Sequence, residues 1–229
     1  MTRMRALLVV PENNTTMEGE MRAYCPQIHD LLVARVSRPA RTLLREDIPA
    51  YRASTLKAVE PFEGEAIDIL LYGCTAAGFL AGPEGESELA CALSARFGVE
   101  TVTTAGAMVA VLQDEKVTRI DVVTPYLEAV NEGLKAYLAA GGITVERLES
   151  FSCATTAELG AIGSAEVLAL ARATASREAQ ALFIACSQLP TRAILPRLRR
   201  ELRRPVRSSI EATAWAASKA FAAKASAAA

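Results

Sequence analysis

A chain of 229 residues that is 51% hydrophobic has enough apolar side chains for one large domain or two small ones, which excludes a disordered protein. With 25 basic against 26 acidic residues, a formal charge of −1 leaves no electrostatic footprint for nucleic acid or an anionic membrane. No apolar run nears the roughly 20 residues of a membrane span, and Met1 to Arg5 leads into a strand rather than a secretory signal, so a cytoplasmic location without membrane or nucleic-acid partners is expected.

The reactive side chains narrow the chemistry further. Five cysteines, an odd number without a C-x-x-C pair, argue against a disulfide framework or a zinc site. The single histidine, His29, reads as a solvated loop residue, so neither a Ser-His-Asp triad nor a cage of histidines can be assembled. G-x-S-x-G, H-E-x-x-H, G-x-G-x-x-G and the phosphate-binding G-x-x-x-x-G-K-[ST] are all missing. No metal and no cofactor is expected, and the acids and bases must be cysteine, tyrosine or carboxylate.

From the N-terminus, the apolar run 6–10 stopped by Pro11 is a strand buried on both faces. The loop Pro11-Glu-Asn-Asn14-Thr15-Thr16-Met17-Glu18 opens a helix. Thr15 with Glu18 fits a capping box, and Thr16 is an equal candidate. Asn13 and Asn14 then face a cleft as neutral donors for a carboxylate, or serve as turn residues. A second strand is expected over 30–37, a loop over 39–44, and helical spacing over 51–62.

Asp68-Ile-Leu-Leu-Tyr-Gly-Cys74-Thr-Ala-Ala-Gly78 is a buried strand that ends on a cysteine and turns at once into small residues. In open α/β sheets ligands bind beyond the carboxyl ends of strands, where helix N-termini favour anions and tilt a thiol toward thiolate. Residues 81–87 read as a flexible acidic loop able to close over a ligand, followed by a helix over 88–97, a strand over 100–103 and a helix over 105–112.

The second half repeats the first. The run 120–124 stopped by Pro125 echoes the one stopped by Pro11, and Gln180-Ala-Leu-Phe-Ile-Ala-Cys186-Ser-Gln-Leu-Pro190 echoes the segment ending at Cys74. From Pro11 to Cys74 is 74 − 11 = 63 residues, and from Pro125 to Cys186 is 186 − 125 = 61. Two copies of one half-domain would bring the two sulfurs face to face across a cleft, whereas two ordinary core cysteines would not. Tyr126 is aimed at the same rim, and Tyr137 is packing. A strand over 143–148, a hydroxyl-rich loop over 150–160 with Cys153 as a bystander or third thiol, and helices over 165–179, 195–202 and 211–223 complete the chain. A last short strand ends at 207–209, and residues 225–229 should fray.

Four tokens span nearly the whole chain: Asn14-Thr-Thr-Met-Glu18, Gly73-Cys74-Thr, Pro125-Tyr126 with Val130-Asn131, and Ala185-Cys186-Ser-Gln-Leu-Pro190. On them the chain resembles the aspartate/glutamate racemase superfamily, nearest to its maleate cis-trans isomerases and arylmalonate decarboxylases. The resemblance implies an α/β fold of two pseudo-symmetric, Rossmann-like halves, each with a four-stranded parallel sheet flanked by helices and with the active site between them. Residues 1–113 would form the half holding Cys74 and 114–208 the half holding Cys186, with helix 209–229 packing back on the first.

Arylmalonate decarboxylases share Tyr126 and Cys186 but lack the first cysteine, so Cys74 points to a two-thiol isomerase or racemase. The Cys-x-Gln-x-Pro form around Cys186 is closest to the isomerases. The implied site has Cys74 and Cys186 as catalytic residues, with Asn14, Thr75, Ala76, Tyr126, Thr156, Ser187 and Gln188 around a small dicarboxylate. Thr156 stands where isomerases carry a loop asparagine. Cofactor-independent isomerisation of maleate or a close cis-enedioate by a homodimer is expected. A two-cysteine amino-acid or hydantoin racemase and a small-molecule binding module are the alternatives.

Overall fold

The computed structural model describes residues 4–227, with side chains through Lys224. Met1 to Arg3, part of the expected approach to the first strand, lie outside these residues, as do Ala228 and Ala229 of the expected frayed end.

Each apolar run becomes a central strand because both of its faces are covered, as parallel sheets require. Strand β1 (Met4–Pro11) lies between β2 (Ile28–Val36) and β3 (Ile69–Tyr72), with β4 (Thr101–Thr103) beyond β3, all parallel. The second sheet copies this order: β5 (Arg119–Thr124) between β6 (Thr144–Ser150) and β7 (Ala181–Ile184), with β8 (Val206–Ser208) outermost. Register makes the duplication explicit. Val9 pairs with Tyr72 and Val123 with Ile184, so Pro11 and Cys74, like Pro125 and Cys186, lie two residues past matching positions on the same sheet edge.

Nine helices of the described residues cover the sheets: α1 (Met17–Tyr24), α2 (Ile48–Ala58), α3 (Thr75–Phe97), α4 (Thr104–Asp114), α5 (Glu128–Ala140), α6 (Thr156–Ala161), α7 (Ser164–Thr174), α8 (Leu195–Leu202) and α9 (Ser209–Ala227). Helix α9 follows the second sheet yet packs on α1 and α4 of the first, and the Thr213 and Thr104 hydroxyls meet at 3.0 Å. Helices α3 and α5 pack across the two halves. None of the described helices is long and apolar enough to cross a membrane.

The expected flexible loop over 81–87 is instead part of α3. Gly82 breaks the helical geometry (φ 74°, ψ 170°), and Pro83 restarts it, a position that proline tolerates because its missing N–H would be unpaired anyway. Glu86 is consequently buried. Its carboxylate accepts from the Gly106 N–H at 2.9 Å at the start of α4, from the Thr103 hydroxyl, and from the Tyr137 hydroxyl on α5. Within what reads as a mobile acidic segment, the buried Glu86 ties the halves together.

Candidate active site

One cavity lies between the two sheet edges. Cys74 and Cys186 both line it, together with Pro11, Asn13, Asn14, Thr75, Ala76, Tyr126, Ser187 and Gln188. Its volume is about 30 Å³, enough to hold ordered water.

Gly73 makes room for Cys74. A Cβ there would meet Met17 Sδ at 2.6 Å and Val10 Cγ1 at 2.8 Å, so close approach of β1 and α1, more than a sharp turn, requires the glycine. Cys74 occupies the N-cap position of α3, without a side-chain bond to the N–H groups of that helix's first turn. Cys186 differs. It leads into the irregular turn 187–194, and α8 begins only at Leu195, so a helix N-terminus stands at Cys74 and not at Cys186.

The predicted binding residues divide into free groups and structural ties. Asn14 Oδ1 accepts from the N–H groups of Thr16 and Met17 at 3.1 and 2.9 Å, the capping role that the sequence suggests for Thr15 or Thr16. Its Nδ2 reaches across the cleft to the carbonyl and hydroxyl of Ser187 at 3.1 and 3.2 Å. The Ser187 hydroxyl donates to the Gly73 carbonyl at 2.7 Å. Gln188 pairs doubly with Thr15: Oε1 accepts from its N–H at 3.0 Å, and Nε2 donates to its hydroxyl at 2.9 Å. Glu20 accepts from the N–H groups of Thr191 and Arg192, both at 2.8 Å. The turn after Cys186 is therefore fastened to the first half, and Ser187 and Gln188 shape the wall.

Thr156 is the exception among the predicted site residues. It begins α6, its N–H donates to the Ala40 carbonyl at 2.8 Å, and Leu159 one turn later lines the cavity in its place. Thr155 takes the cap of α6 in a capping box with Glu158. Cys153 is buried away from the lining. Residues that sequence reasoning missed are Arg38, Thr42 and Leu43, from the strap between β2 and α2, and Leu159. The strap is joined to the β6–α6 loop by Thr42 N–H to Ala154 O at 3.0 Å and by the bond from Thr156 to Ala40, which roofs the cavity from both halves.

Buried polar atoms are normally paired. Among the described residues seven buried side-chain polar atoms make no hydrogen bond, and four of them belong to lining residues: Asn13 Oδ1, Arg38 Nε, Thr75 Oγ1 and the Tyr126 hydroxyl. A fifth, the Tyr51 hydroxyl, is in the field of Cys74. Such a concentration at one cavity marks a place built to pair with a polar ligand.

A family model described as arylmalonate decarboxylase matches residues 53–229. The chain belongs to this family. It is 30% identical over 216 residues to the maleate isomerase of Nocardia farcinica, covering 91% of this chain and 86% of that protein. The structure of a Nocardia farcinica maleate cis-trans isomerase mutant with a covalently bound succinylcysteine intermediate is similar at a TM-score of 0.87 and 27% identity, covering 95% of this chain and 92% of that one. An arylmalonate decarboxylase structure shares the fold at a TM-score of 0.76 and 20% identity, over 94% of this chain and 91% of that one.

Within this family scaffold the second thiol has a distinct electrostatic setting. Burial pushes the Cys186 thiol above its ordinary value, while the Gln188 N–H at 3.4 Å, the Tyr126 hydroxyl and the Arg38 charge pull the other way and Cys74 adds to the rise. Desolvation outweighs these donors, so Cys186 is held as the protonated thiol. Burial also raises Tyr126 well above a normal phenol, and the nearby Cys186 and Cys74 raise it further. The tyrosine is a hydrogen-bond donor that packs edge-on against Phe79, with ring centroids 5.5 Å apart. Among the described residues no group of three or more His, Cys, Asp or Glu side chains is placed to hold a metal ion.

Proposed function

We propose that this chain is a cofactor-independent cis-trans isomerase that converts maleate, or a close cis-enedioate, to the trans isomer, with Cys74 as nucleophile and Cys186 as proton donor. The observation that carries the reading is that two thiols from equivalent strand ends line one cavity in unlike settings. Both are buried, but one stands at the N-cap position of a helix, whose N-terminus favours negative charge, and the other leads into an irregular turn where burial holds it protonated.

A carbon–carbon double bond does not rotate thermally, so it must become a single bond for a moment. The Cys74 thiolate forms a bond to one olefinic carbon, and the π electrons move onto the other carbon and its carboxylate. The Cys186 thiol protonates that carbon and is left as thiolate. Rotation about the new single bond in the succinyl thioether is easy. The Cys186 thiolate then removes the proton, the double bond re-forms, and the bond to Cys74 breaks. The Thr75 and Tyr126 hydroxyls and the first N–H groups of α3 face the developing charge, the kind of fixed donor that stabilises such a step.

In this reading residues 1–113 supply Cys74 and 114–208 supply Cys186, and a homodimer in the cytoplasm remains the expected setting. Proton NMR of the vinyl signals tests the activity. Fumarate should accumulate from maleate with the native protein and not with Cys74→Ala. A racemase would instead exchange solvent deuterium into an amino-acid stereocentre and leave maleate untouched.

A further inference from the structure

Arg38 is the only lysine, arginine or histidine among the residues lining the cavity. Most of the described arginines have a carboxylate partner; Arg35, Arg41 and Arg52, which flank this region, pair with Glu18, Asp47 and Glu88. Arg38 has none among the described residues. Its backbone N–H donates to Glu12 and one terminal nitrogen donates to the Arg41 carbonyl at 3.3 Å, while Nε is buried with no partner. Its charge is felt at Cys186, Tyr126 and Tyr51, three groups that belong to both halves. A guanidinium that has lost water from one N–H and gained no acceptor is unfavourable by itself. It becomes favourable when a carboxylate arrives.

We infer that Arg38 is the specificity determinant of this site: its guanidinium takes one carboxylate of the substrate and thereby commits the enzyme to a dianionic cis-enedioate over the corresponding half-amide. The inference rests on the isomerase reading above and names a residue that the reading does not use. The other lining donors are neutral, suited to one carboxylate and to the charge that develops during addition. A second carboxylate in the same cavity needs a compensating cation, or its field would oppose formation of the Cys74 thiolate. Arginine suits this role better than lysine because it stays charged, is more weakly hydrated and offers a planar fork to a carboxylate.

The experiment compares Arg38→Gln and Arg38→Lys with the native protein, on maleate and on its monoamide, reading KM and kcat separately. Arg38→Gln is expected to raise KM for maleate by roughly 10- to 100-fold, the loss of one charge-assisted interaction. The monoamide should change by no more than about threefold, so the preference for the diacid collapses, and Arg38→Lys should recover part of it. Equal losses on both substrates, or a preference that survives in Arg38→Gln, would overturn the assignment and leave the isomerase reading intact. If the native protein converts neither substrate, the isomerase reading itself fails and this inference falls with it.

Discussion

Asn14 and Ser187 hold the two halves of the site together. The amide nitrogen of Asn14 donates to both the carbonyl and the hydroxyl of Ser187, and the same residue's oxygen caps α1. Asn14→Ala removes both functions at once from a side chain that is only 4% exposed. It should lower stability by about 2–3 kcal/mol, the sum of a lost cap and a buried hydrogen bond, as read by urea denaturation. Asn14→Asp keeps the cap acceptor but sets a buried carboxylate oxygen against the Ser187 carbonyl, so it should cost more than loss of the cross-cleft donor alone.

Alkaline pH should expose the role of Cys186. Burial raises its folded-state pKa, so as pH climbs past the ordinary thiol value of about 8.5 the unfolded chain loses this proton first. The associated stability is complete below that value and disappears as pH approaches the raised folded value. Activity should hold through this range and fall only as pH passes the raised folded value, where the folded enzyme itself loses the acid. In Cys186→Ser, whose hydroxyl does not titrate there, the contribution of this group to the alkaline decline in melting temperature should vanish.

Tyr126→Phe tests the donor next to that thiol. The phenol pulls the Cys186 pKa down, so its removal should move the alkaline limb of the kcat profile upward. It should also lower kcat by about 10- to 100-fold through loss of a fixed donor to developing charge. A drop in kcat without a moved limb would assign Tyr126 to substrate alone.

Glu86 is a structural prediction. Its carboxylate joins α3 to Thr103, Gly106 and Tyr137. Glu86→Ala should cost about 2–4 kcal/mol by leaving several buried donors unpaired, while Glu86→Gln, which retains an acceptor, should cost less; thermal melts separate them.

How much of this was legible in the sequence follows from the range of each signal. The strands were readable because parallel-sheet strands are continuous apolar runs, and the paired spacings from Pro11 to Cys74 and Pro125 to Cys186 reappear as matching registers. Arg38 was not readable. It lies beside Pro39 in a strap without periodicity, and the cavity it lines is closed by Tyr126, Leu159 and Cys186 from the other half of the chain. Glu86 was misread because Gly82 and Pro83 resemble a loop locally, while the packing of α3 against α5 keeps the segment helical. The engagement of Ser187 and Gln188 with Gly73, Asn14 and Thr15 depends on how the halves meet, which no local pattern encodes.

Mass spectrometry of the intact Cys186→Ser variant after incubation with maleate, followed by peptide mapping, tests the covalent account most directly. Without its proton partner the reverse reaction is slowed, so one diacid should remain attached, and it should map to Cys74. An adduct confined to the exposed Cys91, an equal adduct in Cys74→Ser, or a native protein that makes fumarate while no Cys74 adduct forms in any variant would contradict it.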